Sequence, residues 1–381
     1  MKKKTRSMWT AGIFAAFALT GLAGCGPLGN QYETVSVSEA EGKEIPEPVL
    51  VIEEEPETLP VQPEEKEPVS LLFGGDIYLS EFVLNAYNQA GGIAGVLDEG
   101  LRAEIADADL FIANQEFPFS DRGIPAADKQ FTFRLPKEKV HLMQEIGADL
   151  VTLANNHALD YGTDALLDTC MVLDEAGILR IGAGANMEEA GRMEVVELDG
   201  RTYGFLGASR VFPVADWAAG ASHAGMLSAY DPDALCEVIR EARTRCDYLV
   251  VYVHWGIERN TMPEAYQRIQ GRQYIDAGAD LVVGSHPHVL QGIEYYNGKP
   301  ILYSLGNFIF GSSIPETMLV KAEIGEDGTA ALKLYPAVSS AGYTRTMEEG
   351  KLPAFYEKME ALSEEIQITE DGWVVPEKAS P

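Results

Sequence analysis

The sequence predicts an α/β protein with two packed sheets and helices outside them, and three observations carry that prediction. Five short apolar runs each close on a ligand-type residue: Leu71–Gly75 on Asp76, Asp109–Ala113 on Asn114-Gln115-Glu116, Asp149–Ala154 on Asn155-Asn156-His157, Tyr248–Val253 on His254, and Asp280–Gly284 on Ser285-His286-Pro287-His288. Continuous apolar runs of this length are what strands buried on both faces look like. Helix-like segments separate these runs, and several end at Gly, as Gly147, Gly177 and Gly278 show, the pattern of a helix cap followed by a short step into a strand. Later runs follow one another without helices, across Asp199-Gly200 and Asp327-Gly328. A two-residue Asp-Gly loop is a hairpin signal, because both positions tolerate positive φ. Parallel βα units are therefore mixed with antiparallel hairpins.

From the amino terminus, Lys2-Lys3-Lys4 and Arg6 precede an apolar stretch from Met8 to Leu22 and then Ala23-Gly24-Cys25. A basic segment, a short apolar one and small residues before a cleavage point read as a secretory signal over residues 1–24. Leu22-Ala23-Gly24-Cys25 is similar to a bacterial lipobox, which implies a lipid on Cys25 and a place on the extracytoplasmic face of the cell membrane. The apolar stretch is shorter than the ~20 residues a membrane span requires, which disfavours an uncleaved anchor. Residues 25–68 read as an acidic tether, with twelve Glu against Lys43 and Lys66 and too few large apolar groups to offset the entropy of ordering.

The formal charge of −30 argues against nucleic acid as a partner, because a polyanion is held by basic patches. It leaves room for an anionic substrate held by metal ions, whose local charge overrides the global one. Besides Cys25 there are Cys170, Cys236 and Cys246. Cys236 and Cys246 form a disulfide or remain thiols, and the sequence supports both alike.

Residues 69–340 read as one domain. Its helical patterns run over residues 80–101, 137–146, 164–176, 232–245 and 263–277, and strands without intervening helices over 193–198, 201–208, 299–305 and twice within 318–334. Residues 341–381 hold an amphipathic pattern over 353–366 and then Trp373-Val374-Val375, which dock on the domain or stand apart from it.

In open α/β sheets ligands bind beyond the carboxyl ends of the strands, so the five polar clusters share one edge. His254, His286 and His288, with Asp76, Glu116 and Asn156, supply the mixed imidazole and oxygen ligands that suit zinc, manganese or iron rather than calcium. Two ions sharing a carboxylate position a hydroxide and clamp the transferring group. Each residue also has a plainer role: His254 as a core histidine, Asp76 as a helix cap, and Asn114, Asn155 and Asn156 as turn residues. Those roles would need five independent coincidences at one sheet edge. Asn114 and Asn155 are candidates for substrate contact.

The set Gly75-Asp76, Asn114-Gln115-Glu116, Ala154 to Gly162, Val253 to Gly256, Gly284 to His288 and Tyr303 to Phe308 resembles the CapA family of poly-γ-glutamate capsule biosynthesis proteins. That resemblance covers residues 70–334. It implies a calcineurin-like, four-layer α/β/β/α sandwich of the metallo-dependent phosphatase type with a two-metal centre. Carried over by motif, Asp76 and His288 serve one ion, Asn156, His254 and His286 the other, and Glu116 bridges them. His157 matches the histidine that protonates a leaving group, and Asp160 is placed to orient it. Two departures stand out: Tyr78 occupies a position where such phosphoesterases carry a ligand histidine, and the bridging carboxylate is a Glu in an Asn-x-Glu context. The resemblance implies a metal-dependent hydrolase or transferase acting on an anionic polymer such as poly-γ-glutamate. The alternative is a non-catalytic subunit that binds the polymer or a membrane capsule synthase.

Overall fold

The computed structural model describes residues 67–377. Cys25, the leader and nearly all of the tether lie outside the described residues.

Strand Val69–Ile77 lies between Leu110–Gln115, which runs parallel to it, and Ser313–Ile324, which runs antiparallel; Leu150–Thr152 and Leu179–Ile181 continue the parallel side of this ten-stranded sheet. A second, six-stranded sheet places Arg201–Ser209, Tyr248–His254, Leu281–Ser285 and Lys299–Leu302 side by side and parallel. Alternate residues of each strand face opposite ways, and both faces are buried here. Leu71, Phe73 and Ile112 of the first sheet pack with Phe205, Val250, Tyr252 and Leu281 of the second in one core. Leu72, Phe111 and Val151 turn the other way onto helices Glu81–Ala90, Glu99–Asp107, His141–Ile146 and Thr163–Ala176. Leu206, Val251 and Val282 turn onto Pro232–Arg243 and Ala265–Ala277. The result is the four-layer α/β/β/α sandwich the sequence predicts.

Two local expectations need correction. The helical pattern over residues 80–101 breaks at Gly91 and Gly92, whose φ values of 73° and 155° end one helix, before Asp98 caps the next by accepting from Leu101 N. The loop at Asp327-Gly328 spans five residues, since the strands end at Ile324 and resume at Ala330. Asp327 spends its carboxylate on Thr329 N and Oγ1, a side-chain turn that replaces the two-residue hairpin. Asp199-Gly200, with φ of 51° and 77°, does form the tight turn. Of the two states left open for Cys236 and Cys246, the structure has free thiols, directed at the carbonyls of Gln273 and Ala242.

The carboxyl-terminal segment docks. Helix Leu352–Leu362 sends Phe355, Tyr356 and Met359 into the core between the sheets, and Ile366–Ile368 and Trp373–Pro376 extend the larger sheet. No helix among the described residues is long and apolar enough to cross a membrane.

Candidate metal centre

Ten of the residues singled out by sequence meet at the carboxyl ends of the parallel strands, where both sheets contribute. Asp76 arrives there through a bulge: the pairing with the Leu110–Gln115 strand shifts between Phe73 and Asp76. Gly75 is required at this step, because a Cβ would lie 1.9 Å from Gly306 O, the carbonyl that accepts from Asp76 N at 2.8 Å. Asn114 pairs beside Asp76 and donates from Nδ2 to Asp76 Oδ1 at 2.8 Å. Asn155 donates to Asn114 Oδ1 and Gln115 O and accepts from His157 N. Both asparagines are fully buried and their amides are used up on protein partners. Through these bonds they frame the centre.

The second sheet brings three imidazoles. His254 ends its strand with Nδ1 2.9 Å from Ser285 Oγ, which leaves Nε2 aimed at Asn156 Oδ1 at 2.8 Å. His286 and His288 flank Pro287 with φ of 98° and 58°. Positive φ at non-glycine residues is a strained conformation that persists where the surroundings hold it. Here Pro287 O accepts from Arg259 N, and the turn sets His286 Nδ1 3.1 Å from His254 Nε2. His288 Nδ1 lies 2.8 Å from Asn307 Oδ1 and 3.2 Å from Asp76 Oδ2, with Nε2 3.7 Å from Glu116 Oε1.

The electrostatics of this pocket suit bound cations. Burial, with the Asp76 carboxylate beside it, pushes the Glu116 carboxyl well above its usual range. Against the pull of burial, Glu116 and Asp76 hold His288 protonated, pushed up to about 10. Burial and the neighbouring His288 press His286 down to about 3, and burial with His286 keeps His254 neutral. Asp76 Oδ2 and Glu116 Oε1 are buried without a well-formed hydrogen bond, with the His288 imidazole their ion-pair partner at 3.2 Å and 3.7 Å, an expensive state for a carboxylate oxygen. Two sets of ligand atoms each lie within 4.8 Å of one another: Glu116, His254 and His286, and Asp76, Glu116 and His288. Glu116 belongs to both. Once His288 gives up its proton, these buried carboxylate oxygens and the three imidazoles form a donor set that fits divalent metal ions.

His157 flanks this centre. Its Nδ1 lies 2.7 Å from Asp160 Oδ2, and its Nε2 faces Glu116 Oε1 at 4.0 Å. Burial lowers its pKa, which the Asp160 hydrogen bond partly offsets.

Two neighbours, Lys129 and Phe133, have no signal in the sequence pattern. Lys129 reaches from a loop to bond Asp160 Oδ1 and Asn156 O, with Nζ 3.0 Å from His157 Nδ1. Phe133 stacks on His157 with ring centroids 4.1 Å apart, and Tyr78 stacks on Phe133 at 3.9 Å. Asn307, inside the Tyr303 to Phe308 motif but given no role by the sequence, orients His288.

Comparison with known proteins places this geometry in context. Residues 70–312 match the family model for the bacterial capsule synthesis protein PGA_cap. The chain is 33% identical over 273 residues to the PGA biosynthesis protein CapA of Bacillus subtilis (strain 168), covering 70% of this chain and 71% of that protein. It is 32% identical over 287 residues to the capsule biosynthesis protein CapA of Bacillus anthracis, covering 73% and 69%. A probable polyglutamine synthesis accessory protein of Mycobacterium tuberculosis is 30% identical over 211 residues, covering 53% and 55%.

Proposed function

The chain belongs to the bacterial capsule synthesis family PGA_cap, and from that premise we propose that it is a lipid-anchored protein of poly-γ-glutamate capsule synthesis or export, acting as a metal-dependent hydrolase or transferase. Cys25 is the proposed lipid attachment site, on the extracytoplasmic face of the membrane. In this reading Asp76, Glu116 and His288 hold one divalent ion, and Glu116, Asn156, His254 and His286 hold the other, with zinc, manganese or iron the metals that suit these donors. Bound there, such ions supply positive charge for a transferring group and activate a water.

The rest falls to side chains. Asp160 fixes the ring of His157 through Nδ1, which directs Nε2 at the centre. Burial favours the neutral imidazole, and with Nδ1 held by Asp160 the Nε2 lone pair can take a proton and hand it on. Phe133, backed by Tyr78, covers one face of that ring and limits water there. The observation that carries the reading is that Glu116 is shared by two ligand sets while His157 Nε2 stands 4.0 Å from the same carboxylate oxygen. A site that only stabilises the fold has no use for such a histidine.

A second reading, a non-catalytic subunit that binds the polymer or its membrane synthase, draws support from the mycobacterial relative, whose name describes an accessory protein.

Metal analysis joined to turnover separates the two. His286→Ala is expected to lose bound metal and turnover together. His157→Ala is expected to keep its metal and lose turnover of a phosphoester or γ-glutamyl substrate. Metal-replete wild-type protein that binds polymer and turns over neither substrate would establish the accessory role and reject the enzyme.

A further inference from the structure

The loops around the proposed centre share an unusual composition. Among the described residues, half of the large apolar side chains that stand exposed lie on the segments at this edge: Ile124, Phe131, Val214, Tyr230, Ile257 and Met262. Three arginines lie among them, each rooted beside a residue of the centre. Arg134 follows Phe133, whose ring covers His157, and holds its guanidinium 4.0 Å from the Tyr161 ring. Arg210 donates its N–H to His254 O and lies between the rings of Tyr266, at 4.3 Å, and Tyr230, at 5.0 Å. Arg259 donates its N–H to Pro287 O, between the two site histidines.

None of the three is in an ion pair with a carboxylate among the described residues, although acidic residues outnumber basic ones 59 to 29. Arg134 and Arg210 rest on aromatic faces and each gives Nη1 to a backbone carbonyl, that of Arg122 and of Tyr230, which fixes the side chain and leaves its other N–H donors for a carboxylate. Exposed aliphatic and aromatic groups suit the methylene stretches between carboxylates. At physiological salt, charges more than about 8 Å apart are largely screened, so the remote acidic surface counts for little and the three arginines are set against the nearby Glu258, which acts on Glu116 and Lys129.

We propose that this rim is a binding track for an extended polycarboxylate chain, in which Arg134, Arg210 and Arg259 take carboxylates on either side of the centre and Phe131, Tyr230 and Ile257 pack against the methylenes. The inference rests on the reading of the centre as acting on an anionic polymer. A bilayer is the less favoured occupant. An anionic lipid surface would face the acidic remainder of the domain as well as the three arginines.

The test uses the full chain and three probes: poly-γ-glutamate of defined length, neutral dextran, and vesicles of mixed phosphatidylglycerol and phosphatidylcholine. The triple variant Arg134→Gln, Arg210→Gln, Arg259→Gln is expected to bind poly-γ-glutamate at least about tenfold more weakly and with a shallower salt dependence, with metal content and melting temperature unchanged. The corresponding triple lysine variant keeps the charge without the fork and is expected to recover part of the affinity. If wild-type protein binds poly-γ-glutamate and the glutamine variant binds it equally well, the track is refuted while the proposed function stands. Wild-type protein that binds no polymer would remove the proposed function itself. Binding to vesicles in place of polymer, abolished by the glutamine variant, would reassign the rim to a membrane and overturn the track.

Discussion

Asp160 offers the sharpest test of how the centre is held together. Its carboxylate is fully buried and accepts from Phe133 N at 2.6 Å and from Lys129 Nζ, with His157 Nδ1 at 2.7 Å. Lys129 is itself only 13% exposed. Asp160→Asn puts an amide NH2 among these donors and leaves a mostly buried ammonium without its counter-charge. Removing one member of a buried pair costs about 3–5 kcal/mol, and the partial exposure of Lys129 argues for the lower end, about 3 kcal/mol. For a domain of this size that is a drop of roughly 6 °C in Tm, taking about 2 °C per kcal/mol. Lys129→Met in the same chain removes the orphaned charge, so the double variant is expected to regain about 1–2 kcal/mol relative to Asp160→Asn alone. Urea midpoints of the wild type, both single variants and the double variant close the cycle, provided the slopes agree. Additive single effects would show that Lys129 and Asp160 do not act as a pair, and the description of this corner would have to be abandoned.

Two further expectations concern the frame around the centre. Asp168, buried beneath the loop that carries Lys129, takes Arg122 through Nε and Nη2, together with Ser120 and Lys137. Hydrogen bonds from Arg122, against the opposing effect of burial and with Lys137 and Ser120 adding to them, hold its carboxyl below the usual range. A depressed folded pKa contributes stability that is present above the unfolded value near ~3.9 and is lost as pH falls toward the folded one. Asp168→Asn is therefore expected to cost about 2 kcal/mol at pH 7, with the gap narrowing below about pH 4; a gap that urea titration finds constant between pH 7 and 3.5 would contradict this. In the strand leading to His286, a Cβ at Gly284 would lie 2.0 Å from Tyr303 O and 2.4 Å from Trp255 Nε1. Gly284→Ala should destabilise by more than about 3 kcal/mol, whereas Gly311→Ala, which meets nothing within 4 Å, should stay within about 0.5 kcal/mol; equal melting temperatures would show that the strand relaxes around the methyl group.

What was legible in the sequence, and what was not, follows from the range of the forces involved. The parallel strands could be read because burial on both faces forces unbroken apolar runs, and the centre because polar residues close those runs. Tyr248–His254 shows both properties in seven residues. Lys129 and Phe133 could not be read. They lie in an aperiodic loop whose path is fixed by contacts with Asp160, through Ala126 N to Asp160 O and Phe133 N to Asp160 Oδ2. Nothing local to residues 121–134 encodes that partner, which lies some thirty positions on. Gly91-Gly92 failed for the opposite reason. The apolar spacing over residues 80–101 continues through the break, and the conformational freedom of two glycines outweighs it.

Tyr78 brings these strands of reasoning together. The family resemblance implies a ligand histidine at this place in phosphoesterases, so a tyrosine reads in sequence as a ligand lost. In the fold its ring has other work: it stacks on Phe133 with planes 17° apart, and Phe133 stacks on His157 at the same angle. Phe310 closes the group edge-on to Tyr78 and Phe133, and reaches His288 at 5.1 Å. Position 78 therefore builds an aromatic wall that joins the proposed acid His157 to His288. A histidine placed there would sit against Phe133 and remain in that wall unless the loop moved away. Restoring a ligand thus requires changes at both Tyr78 and Phe133, because the departure at one position and the loop that covers the centre are parts of one packing solution. Asn307, which orients His288, and Asn114, which holds Asp76, fix two of the proposed ligands from outside that wall.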